Sequence, residues 1–262
     1  MSDLHNSGDI AVSVQNLGLI YKTTIDKKLS LSNRIKHLGR GTKQTRIIHA
    51  LNGVNLDVDY GSVLGVVGAN GAGKSTMMRV ISGILPPTSG RVEVYGKVST
   101  LLALGVGFNK QLTGRQNVIL GGLASGLSRD EIEHHFEEIA DFAELGEAID
   151  APMRTYSSGM YARLGFSVAV TVKPDILIVD EALSTGDARF KEKSLAKLKE
   201  LRGDNRALIL VSHALGTIRE VCNDVAWLHK GKLIQRGKPN EVVDAYQDFL
   251  AVGKSAVVNE DV

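Results

Sequence analysis

Residues 63–76 read VLGVVGANGAGKST, and this stretch decides the fold. Its first five residues are a short β-branched run bounded by glycine, which is typical of a buried strand. The rest matches G-x-x-x-x-G-K-S, the pattern of a loop whose backbone N–H groups surround phosphate oxygens. Apolar residues then recur at helical spacing through Met78 and Ile81, and Gly83 suits the position just after a helix end. The stretch therefore predicts a strand, a phosphate loop and a helix of an α/β fold.

The side chains of the loop predict how a nucleotide would be held. Lys74 would reach the β- and γ-phosphates, and the Ser75 hydroxyl would be a ligand of Mg²⁺. The N-terminus of the following helix adds N–H donors and positive potential. A glycine-rich turn with an unrelated lysine is the alternative, and it leaves the strand–loop–helix setting unexplained. The predicted phosphate-binding residues are Gly68, Asn70, Gly71, Gly73, Lys74, Ser75 and Thr76.

Two further apolar runs end in polar side chains that suit the same site. The first, residues 175–180, reads DILIVD and is followed by Glu181. In open α/β sheets, ligands bind outside the carboxyl ends of the strands. There Asp180 can hold the hydration shell of Mg²⁺, and Glu181 can orient a water for in-line attack on the γ-phosphate. The alternative is an ordinary strand end with solvated acids, which the upstream phosphate loop disfavours.

The second run, residues 207–212, is followed by His213. At the same edge of the sheet, His213 can hydrogen-bond the γ-phosphate or the water that Glu181 holds. A lone histidine is more often structural, and that alternative stays open here.

The remaining pattern predicts one α/β domain over residues 1–262, with a helical insertion. A nucleotide-binding core is predicted over 1–103 and 166–237, including strands at 11–19 (which ends at Tyr21) and 47–58 and a helix at 188–202. A helical subdomain is predicted over 104–165, where Ser128 and Glu131 form a capping box. Residues 238–262 are predicted to be a short C-terminal helix and tail. The alternation of strands and helices predicts a parallel sheet with crossover helices.

Composition excludes several other classes of protein. The chain is 43% hydrophobic with a net charge of +2, so it is a folded chain without the basic field expected of a nucleic-acid-binding protein. Its only cysteine, Cys222, excludes an intrachain disulfide and a thiolate metal cluster. We find no signal peptide and no apolar run of the roughly 18–20 residues that a spanning helix needs. We therefore expect a cytosolic chain, and any role at a membrane would need a spanning partner.

A second motif resembles the nucleotide-binding subunits of ABC transporters. Residues 156–160 read YSSGM, similar to the ABC signature LSGGQ, in which Ser157 and Gly159 keep the hydroxyl and the glycine that contact the γ-phosphate. The resemblance implies a P-loop ATPase core with antiparallel β elements beside the parallel sheet. It also implies ATP and Mg²⁺ as cofactors, and a homodimer that buries two nucleotides between its chains.

Other motifs fit the same resemblance. Residues 183–187 look like the D-loop, with Asp187 at the dimer seam, and His213 looks like the switch histidine. Tyr21 looks like the aromatic residue that stacks on adenine, with an edge-strand surface residue as the alternative. The family usually has a glutamine before the helical insert, and here neither Gln111 nor Gln116 is clearly placed in that role.

Several further motifs of this chain resemble one branch of the family. The runs LGVGF at 104–108 and LTGRQN at 112–117, together with residues 156–160, resemble the ATPase subunits of bacterial polysaccharide exporters. This resemblance covers about residues 11–248. It implies a transmembrane permease as partner, a lipid-linked O-antigen, teichoic acid or galactan as cargo, and a peripheral position on the cytoplasmic face of the plasma membrane. Because only about 25 residues follow Gly237, we expect no carbohydrate-binding domain after it.

Residues 22–46, the basic strip, contain eight basic residues and one acidic residue, which leaves the remainder of the chain net acidic. The strip could be a solvated loop. Alternatively, Leu31, Ile35 and Leu38 at helical spacing predict a basic amphipathic helix. Such a helix would contact an anionic membrane surface or substrate phosphate at the permease entrance.

Three other functions agree less well with these motifs. A soluble ABC ATPase acting on DNA or ribosomes usually has twin units or long coiled coils, and this chain shows neither. An ABC subunit for a drug or lipid would share the same site chemistry, so only the branch motifs argue against it. A P-loop kinase or GTPase leaves residues 156–160 unexplained.

Overall fold

The computed structural model describes residues 9–26, 43–100, 108–171, 173–180 and 187–258. Glu181, residues 183–186 and most of the basic strip, 27–42, lie outside these ranges, and so does the predicted amphipathic helix. The described strands are β1 (Ile10–Asp26), β2 (Lys43–Asp59), β3 (Val63–Val67), β4 (Ser89–Val94), β5 (Val98–Thr100), β6 (Ile176–Asp180), β7 (Ala207–Val211), β8 (Asp224–His229) and β9 (Lys232–Gly237). The α-helices are α1 (Lys74–Ile81), α2 (Gly114–Ala124), α3 (Arg129–Ala143), α4 (Ser158–Thr171), α5 (Ala188–Gly203), α6 (Leu215–Val221) and α7 (Pro239–Val258), with 3₁₀ turns at Gly146–Asp150 and Met153–Thr155.

Two sheets form the centre of the molecule. The larger has the strand order β5-β6-β7-β3-β8-β9, parallel except for the antiparallel edge strand β9. The smaller is antiparallel, with the order β2-β1-β4. Strands β3 and β7 are buried along their whole length, as expected where both faces of a parallel sheet are covered. The α/β architecture agrees with the prediction from the sequence.

Three apolar clusters hold these layers together. One lies between the antiparallel sheet, α1 and one face of the parallel sheet, with Leu51, Met77 and Ile178 among its members. A second lies on the opposite face under α5, α6 and α7. The third fills the helical layer of α2, α3 and α4. The helical layer therefore has a core of its own. Full burial of each large apolar side chain in it contributes roughly 1.5–3 kcal/mol.

Helix α4 belongs to two of these clusters. Leu164 and Val168 face the core of the helical layer, whereas Phe166 and Val170 belong to the cluster under α5–α7. The predicted boundary between residues 165 and 166 therefore falls inside one continuous helix. The predicted capping box at the start of α3 is confirmed, since the Ser128 hydroxyl accepts from the Glu131 backbone and the Glu131 carboxylate accepts from the Ser128 backbone.

The antiparallel ribbon is longer than the sequence pattern suggested. β1 continues past Tyr21 to Asp26, and β2 begins at Lys43 rather than Ile47. The pairs Thr23↔Arg46 and Asp26↔Lys43 extend the ladder, because β-branched residues at 23–25 favour a strand despite the neighbouring charges. Both ends of the basic strip are thus strand rather than loop.

The C-terminal helix α7 packs on one face of the parallel sheet, over β3, β8 and β9. It has 20 residues, so the prediction of a short helix was wrong. Its Tyr246 and Phe249 rings lie 5.6 and 5.2 Å from the ring of Trp227 in β8. No helix within the described ranges is long and apolar enough to cross a bilayer.

Candidate functional site

The register of the parallel sheet places three predicted segments at one edge. Val66 of β3 and Asp180 of β6 both pair with Val211 of β7. The phosphate loop begins shortly after Val66, and His213 lies shortly after Val211. Because these strands are parallel, their carboxyl ends meet at the ligand-binding edge. The structure therefore brings the loop, Asp180 and the exposed His213 to the same edge.

Lys74 is the buried cation of the loop. Its side chain lies inside the curve of the loop, and Nζ donates to the carbonyl oxygens of Gly68 at 2.7 Å and Ala69 at 3.2 Å. The ammonium group is thereby held where α1 begins, beside backbone N–H groups that α1 itself cannot use. Lysine charge and helix terminus together form a site for an anion.

Two glycines make the curve of the loop possible. Gly68 has φ +147°, and a Cβ there would overlap the carbonyl oxygen of Leu228. Gly73 has φ +106°, and a Cβ there would lie 2.6 Å from the carbonyl oxygen of Ala50. Any larger residue would both strain the backbone and displace a neighbouring strand. The loop is thus packed against the strand ends on either side of it.

The predicted magnesium ligands lie next to each other. The Ser75 hydroxyl donates to Oδ2 of Asp180 at 3.2 Å, joining the start of α1 to the end of β6. A hydroxyl and a carboxylate are hard oxygen donors, the ligand type that Mg²⁺ takes. Both lie beside the anion site of the loop, so the donor set fits a magnesium ion bound together with phosphate.

A pocket of about 300 Å³ adjoins the loop. Its walls include residues 70–76 and the strand residues Tyr21, Ile48 and His49. The Tyr21 hydroxyl lies 3.5 Å from the Thr76 hydroxyl, so Tyr21 stands at the pocket rather than on an outer edge. Ile48 and His49 were missed from the sequence. Ile48 is the cross-strand partner of Tyr21, a relation that becomes visible only when the register is known.

The YSSGM motif forms the start of α4. The Ser157 hydroxyl accepts from the backbone N–H of Met160 at 3.2 Å, which makes Ser157 the cap of this helix. A Cβ on Gly159 would meet only the Ser157 hydroxyl, at 3.8 Å. Among the described residues, Ser157 and Gly159 make no hydrogen bond to the phosphate loop. Within one chain, the YSSGM motif and the phosphate loop therefore lie on separate parts of the surface.

Asp187 caps helix α5 and contacts the helical layer. Its carboxylate accepts from the Phe190 backbone at 2.9 Å and from Arg163 of α4 at 2.9 Å. The backbone hydrogen bond from Phe190 is the main cause that lowers the pKa of Asp187, and Arg163 adds to it. An ionised Asp187 thus links the start of α5 to the helix that carries the YSSGM motif.

The structure assigns Gln116 a role in folding. Its side-chain oxygen accepts from the Thr113 backbone at 3.0 Å while the Thr113 hydroxyl accepts from the Gln116 backbone, a capping box for α2. Gln116 is therefore not the family's missing glutamine, and the pattern T-x-x-Q was a sequence signal for this cap. The Gln111 backbone donates to the Asn109 side chain.

Known proteins are similar in sequence to this chain over most of its length. The family model described as ABC transporter matches residues 51–184. The O-antigen export system ATP-binding protein RfbB of Myxococcus xanthus is 44% identical over 219 residues, which are 82% of this chain and 50% of that protein. The teichoic acids export ATP-binding protein TagH of Staphylococcus epidermidis is 40% identical over 245 residues, 94% of this chain and 91% of that protein. The chain spans about half the length of RfbB and 47% of TagH from Lactococcus lactis, to which it is 43% identical over 84% of its own length.

Solved structures share the fold. An ATP-binding subunit of an ABC transporter superimposes with a TM-score of 0.71 at 21% identity, covering 90% of this chain and 93% of the other. A dimeric ATP-binding cassette in a post-hydrolysis state, bound to ADP and Pi, gives 0.69 at 23% identity, covering 87% and 98%. The predicted fold, a mainly parallel α/β core with antiparallel elements and a helical insertion, is confirmed.

Proposed function

Because the chain belongs to the ABC transporter family, we propose that it is the ATP-binding and ATP-hydrolysing subunit of a bacterial polysaccharide exporter. The observation that carries the proposal is the hydrogen bond between Ser75 and Asp180, which lies next to the loop whose backbone binds the Lys74 ammonium group. These three side chains supply a cation for phosphate and oxygen donors for Mg²⁺ at one edge of the sheet.

Each residue at that edge has a proposed task in hydrolysis. Lys74 and the loop backbone bind the β- and γ-phosphates, and Tyr21 stacks on the base in the adjoining pocket. Ser75 and Asp180 would hold Mg²⁺, and the bound ion would supply positive charge for phosphate. Glu181, next in the chain after Asp180, orients the attacking water, and His213 contacts the γ-phosphate or that water. Asn70, Gly71, Gly73 and Thr76 complete the phosphate contacts.

The second half of the site comes from another copy of the chain. Ser157 and Gly159 lie at a helix N-terminus with space in front of them, which suits an anion brought by a partner. We propose that two chains close around two ATP molecules, with Asp187 near the seam, and reopen after hydrolysis. This head-to-tail arrangement lets a loop of one chain and the YSSGM motif of the other share one nucleotide.

The cargo is assigned from the branch motifs and the relatives. RfbB and TagH carry names that describe O-antigen and teichoic acids export. We propose that this chain drives the export of a lipid-linked polysaccharide through a separate transmembrane permease, from a peripheral position at the cytoplasmic face of the plasma membrane. The basic strip, which extends from the ribbon of β1 and β2, is proposed to contact anionic lipid or substrate phosphate there.

The variant Glu181→Gln tests the proposed function. Removing the carboxylate that orients the water should slow ATP hydrolysis by at least about a hundredfold. Because Lys74, Ser75 and Asp180 remain, ATP binding should be kept and the closed dimer should accumulate. Hydrolysis is measured by phosphate release, and the dimer by size-exclusion chromatography with ATP and Mg²⁺.

Lys74→Ala provides the matched control, since it should abolish nucleotide binding and leave the chain monomeric with ATP. Turnover of Glu181→Gln near the wild-type rate would remove Glu181 from its proposed role. A wild-type chain that neither binds nor hydrolyses ATP would overturn the proposed function itself.

A further inference from the structure

Tyr156, the first residue of the YSSGM motif, carries a hydroxyl where the family signature has leucine. Its ring is half-buried against the core of the helical layer. The hydroxyl donates to the carbonyl oxygen of Ala148 at 2.6 Å, across the 3₁₀ turn Gly146–Asp150. A leucine could pack against the same core but could not make this hydrogen bond.

The hydroxyl also lies directly against the start of α2. A Cβ added to Gly114 would overlap the Tyr156 hydroxyl and would lie 2.9 Å from the carbonyl oxygen of Ile149. Burial, with a smaller effect of the Asp150 carboxylate, raises the pKa of Tyr156. The hydroxyl thus stays protonated and remains a donor at neutral pH. LTGRQN and YSSGM, two motifs far apart in the sequence, meet at this one contact.

The chain before Gly114 is itself firmly held. The buried Asn117 accepts from the Asn109 backbone at 2.7 Å and donates to carbonyl oxygens of Asn109, Leu112 and Thr113. The backbone N–H groups of Met153 and Arg154 donate to Leu112 and Lys110 at 2.9 and 2.8 Å. Residues 109–114 therefore form a fixed support for the turn that leads into Tyr156.

We propose that Tyr156 is a positioning residue that fixes Ser157–Gly159 against residues 109–114, through a hydroxyl that bonds Ala148 and contacts Gly114. The inference rests on the proposed function, because the proposed function assigns Ser157 and Gly159 the task of contacting the nucleotide of a second chain. Tyr156 does not touch the nucleotide; it sets where the Ser157 hydroxyl and the space at Gly159 are presented.

Tyr156→Phe removes the hydroxyl and keeps the ring. In the Glu181→Gln background, the variant should lower the ATP-driven dimer constant about three- to tenfold, the effect of one lost hydrogen bond. In the otherwise wild-type chain it should lower kcat and leave the affinity of the monomer for a fluorescent ATP analogue within about twofold.

Tyr161→Phe is the matched control. Its ring packs on Phe108, its hydroxyl makes no hydrogen bond in the described ranges, and both readouts should stay unchanged.

Hydrogen exchange provides a readout that needs no catalysis. Tyr156→Phe should speed amide exchange at residues 157–161 without changing exchange in β3 or β7. Gly114→Ala should do the same by displacing the hydroxyl. The double variant Gly114→Ala/Tyr156→Phe should be less impaired than the sum of the two single changes, since both disturb the Tyr156 hydroxyl, and only the contact with the Ile149 backbone is separate.

Two results would overturn the positioning role: unchanged exchange at 157–161 in Tyr156→Phe, or additive effects in the double variant. A wild-type chain without ATP-driven dimers would overturn the proposed function instead. Even then, the exchange experiment would still decide whether the Tyr156 hydroxyl orders the loop.

Discussion

At the scale of single residues, two kinds of glycine occur in the site. Gly68 and Gly73 are required by this chain's own packing, because a side chain there would collide with Leu228 or Ala50. Gly159 is different, since it lies in the first turn of α4 with ordinary space in front of it. A glycine in a helix costs roughly 0.5–1 kcal/mol relative to alanine. Its presence fits the proposed close approach of a nucleotide bound by a second chain.

Gly159→Ala should therefore separate folding from activity. We expect the free energy of unfolding to stay equal or rise by about 0.5–1 kcal/mol, while ATPase activity and ATP-driven dimerisation fall at least tenfold. Gly68→Ala, the control, should lower the free energy of unfolding by more than about 2 kcal/mol. Both are measured by urea denaturation and phosphate release. A destabilised Gly159→Ala chain would contradict the external explanation.

At the scale of elements, the helical layer meets the core through a cluster of charges at the end of α3 and in the first halves of α4 and α5. Glu144 accepts from Lys193 of α5 at 2.9 Å and lies 3.6 Å from Arg163 of α4. Lys193 also donates to backbone oxygens at the end of α3 and lies over the ring of Phe142. The hydrogen bond from Lys193 is the main cause that lowers the pKa of Glu144 below its ordinary 4.5.

This junction should weaken in acid. Because the pKa of Glu144 is lower in the folded chain, its contribution to stability is complete above about pH 4.5 and is lost as the pH falls through the folded value. Glu144→Gln should lower the free energy of unfolding by about 1 kcal/mol at pH 7. Its melting curve should approach the wild-type curve below pH 4.5. The control Glu220→Gln breaks the exposed pair with Lys199 and should change little. A difference that is constant with pH would contradict the prediction.

The same elements show what the sequence could predict. The strand, loop and helix over residues 63–81 and the capping box at Ser128 were predicted correctly because all their determinants lie within a few residues. The Gly114–Tyr156 contact was not, because it joins residues 42 positions apart and no local preference signals it. The ribbon ends were misjudged because charge was taken as a sign of loop, whereas cross-strand pairing at Thr23 and Arg46 prevailed. The lining of the pocket beside the loop could not be predicted without the register that places Ile48 beside Tyr21.

At the scale of the whole molecule, charge is unevenly distributed. The basic strip begins within β1 and ends within β2, and Tyr21 and Ile48 of the same ribbon line the pocket beside the loop. The rest of the chain is net acidic. Under the proposed contact with anionic lipid, this charge distribution would turn the ribbon toward the membrane.

Neutralising Lys27, Lys28, Arg34 and Lys36 together to glutamine should impair export while nucleotide affinity stays unchanged. Cosedimentation with anionic vesicles should weaken roughly in proportion to the charges removed, at about 1 kcal/mol each near the surface. The matched control replaces four exposed lysines outside the strip, Lys173, Lys191, Lys199 and Lys232. Export at the wild-type rate in the first variant would refute the role of the strip.

The packing of the C-terminal helix has an optical consequence. Trp227 is the only tryptophan of the chain, and it is held by Tyr246 and Phe249 of α7. Trp227 is also the neighbour of Val67 in the adjacent strand β3, and Val67 is the residue before the phosphate loop. The tryptophan fluorescence of the unlabelled protein, excited selectively over its tyrosines, therefore arises from one indole between helix α7 and the strand that precedes the loop. Its quenching by acrylamide reports, in real time, whether the helix stays seated while the loop fills.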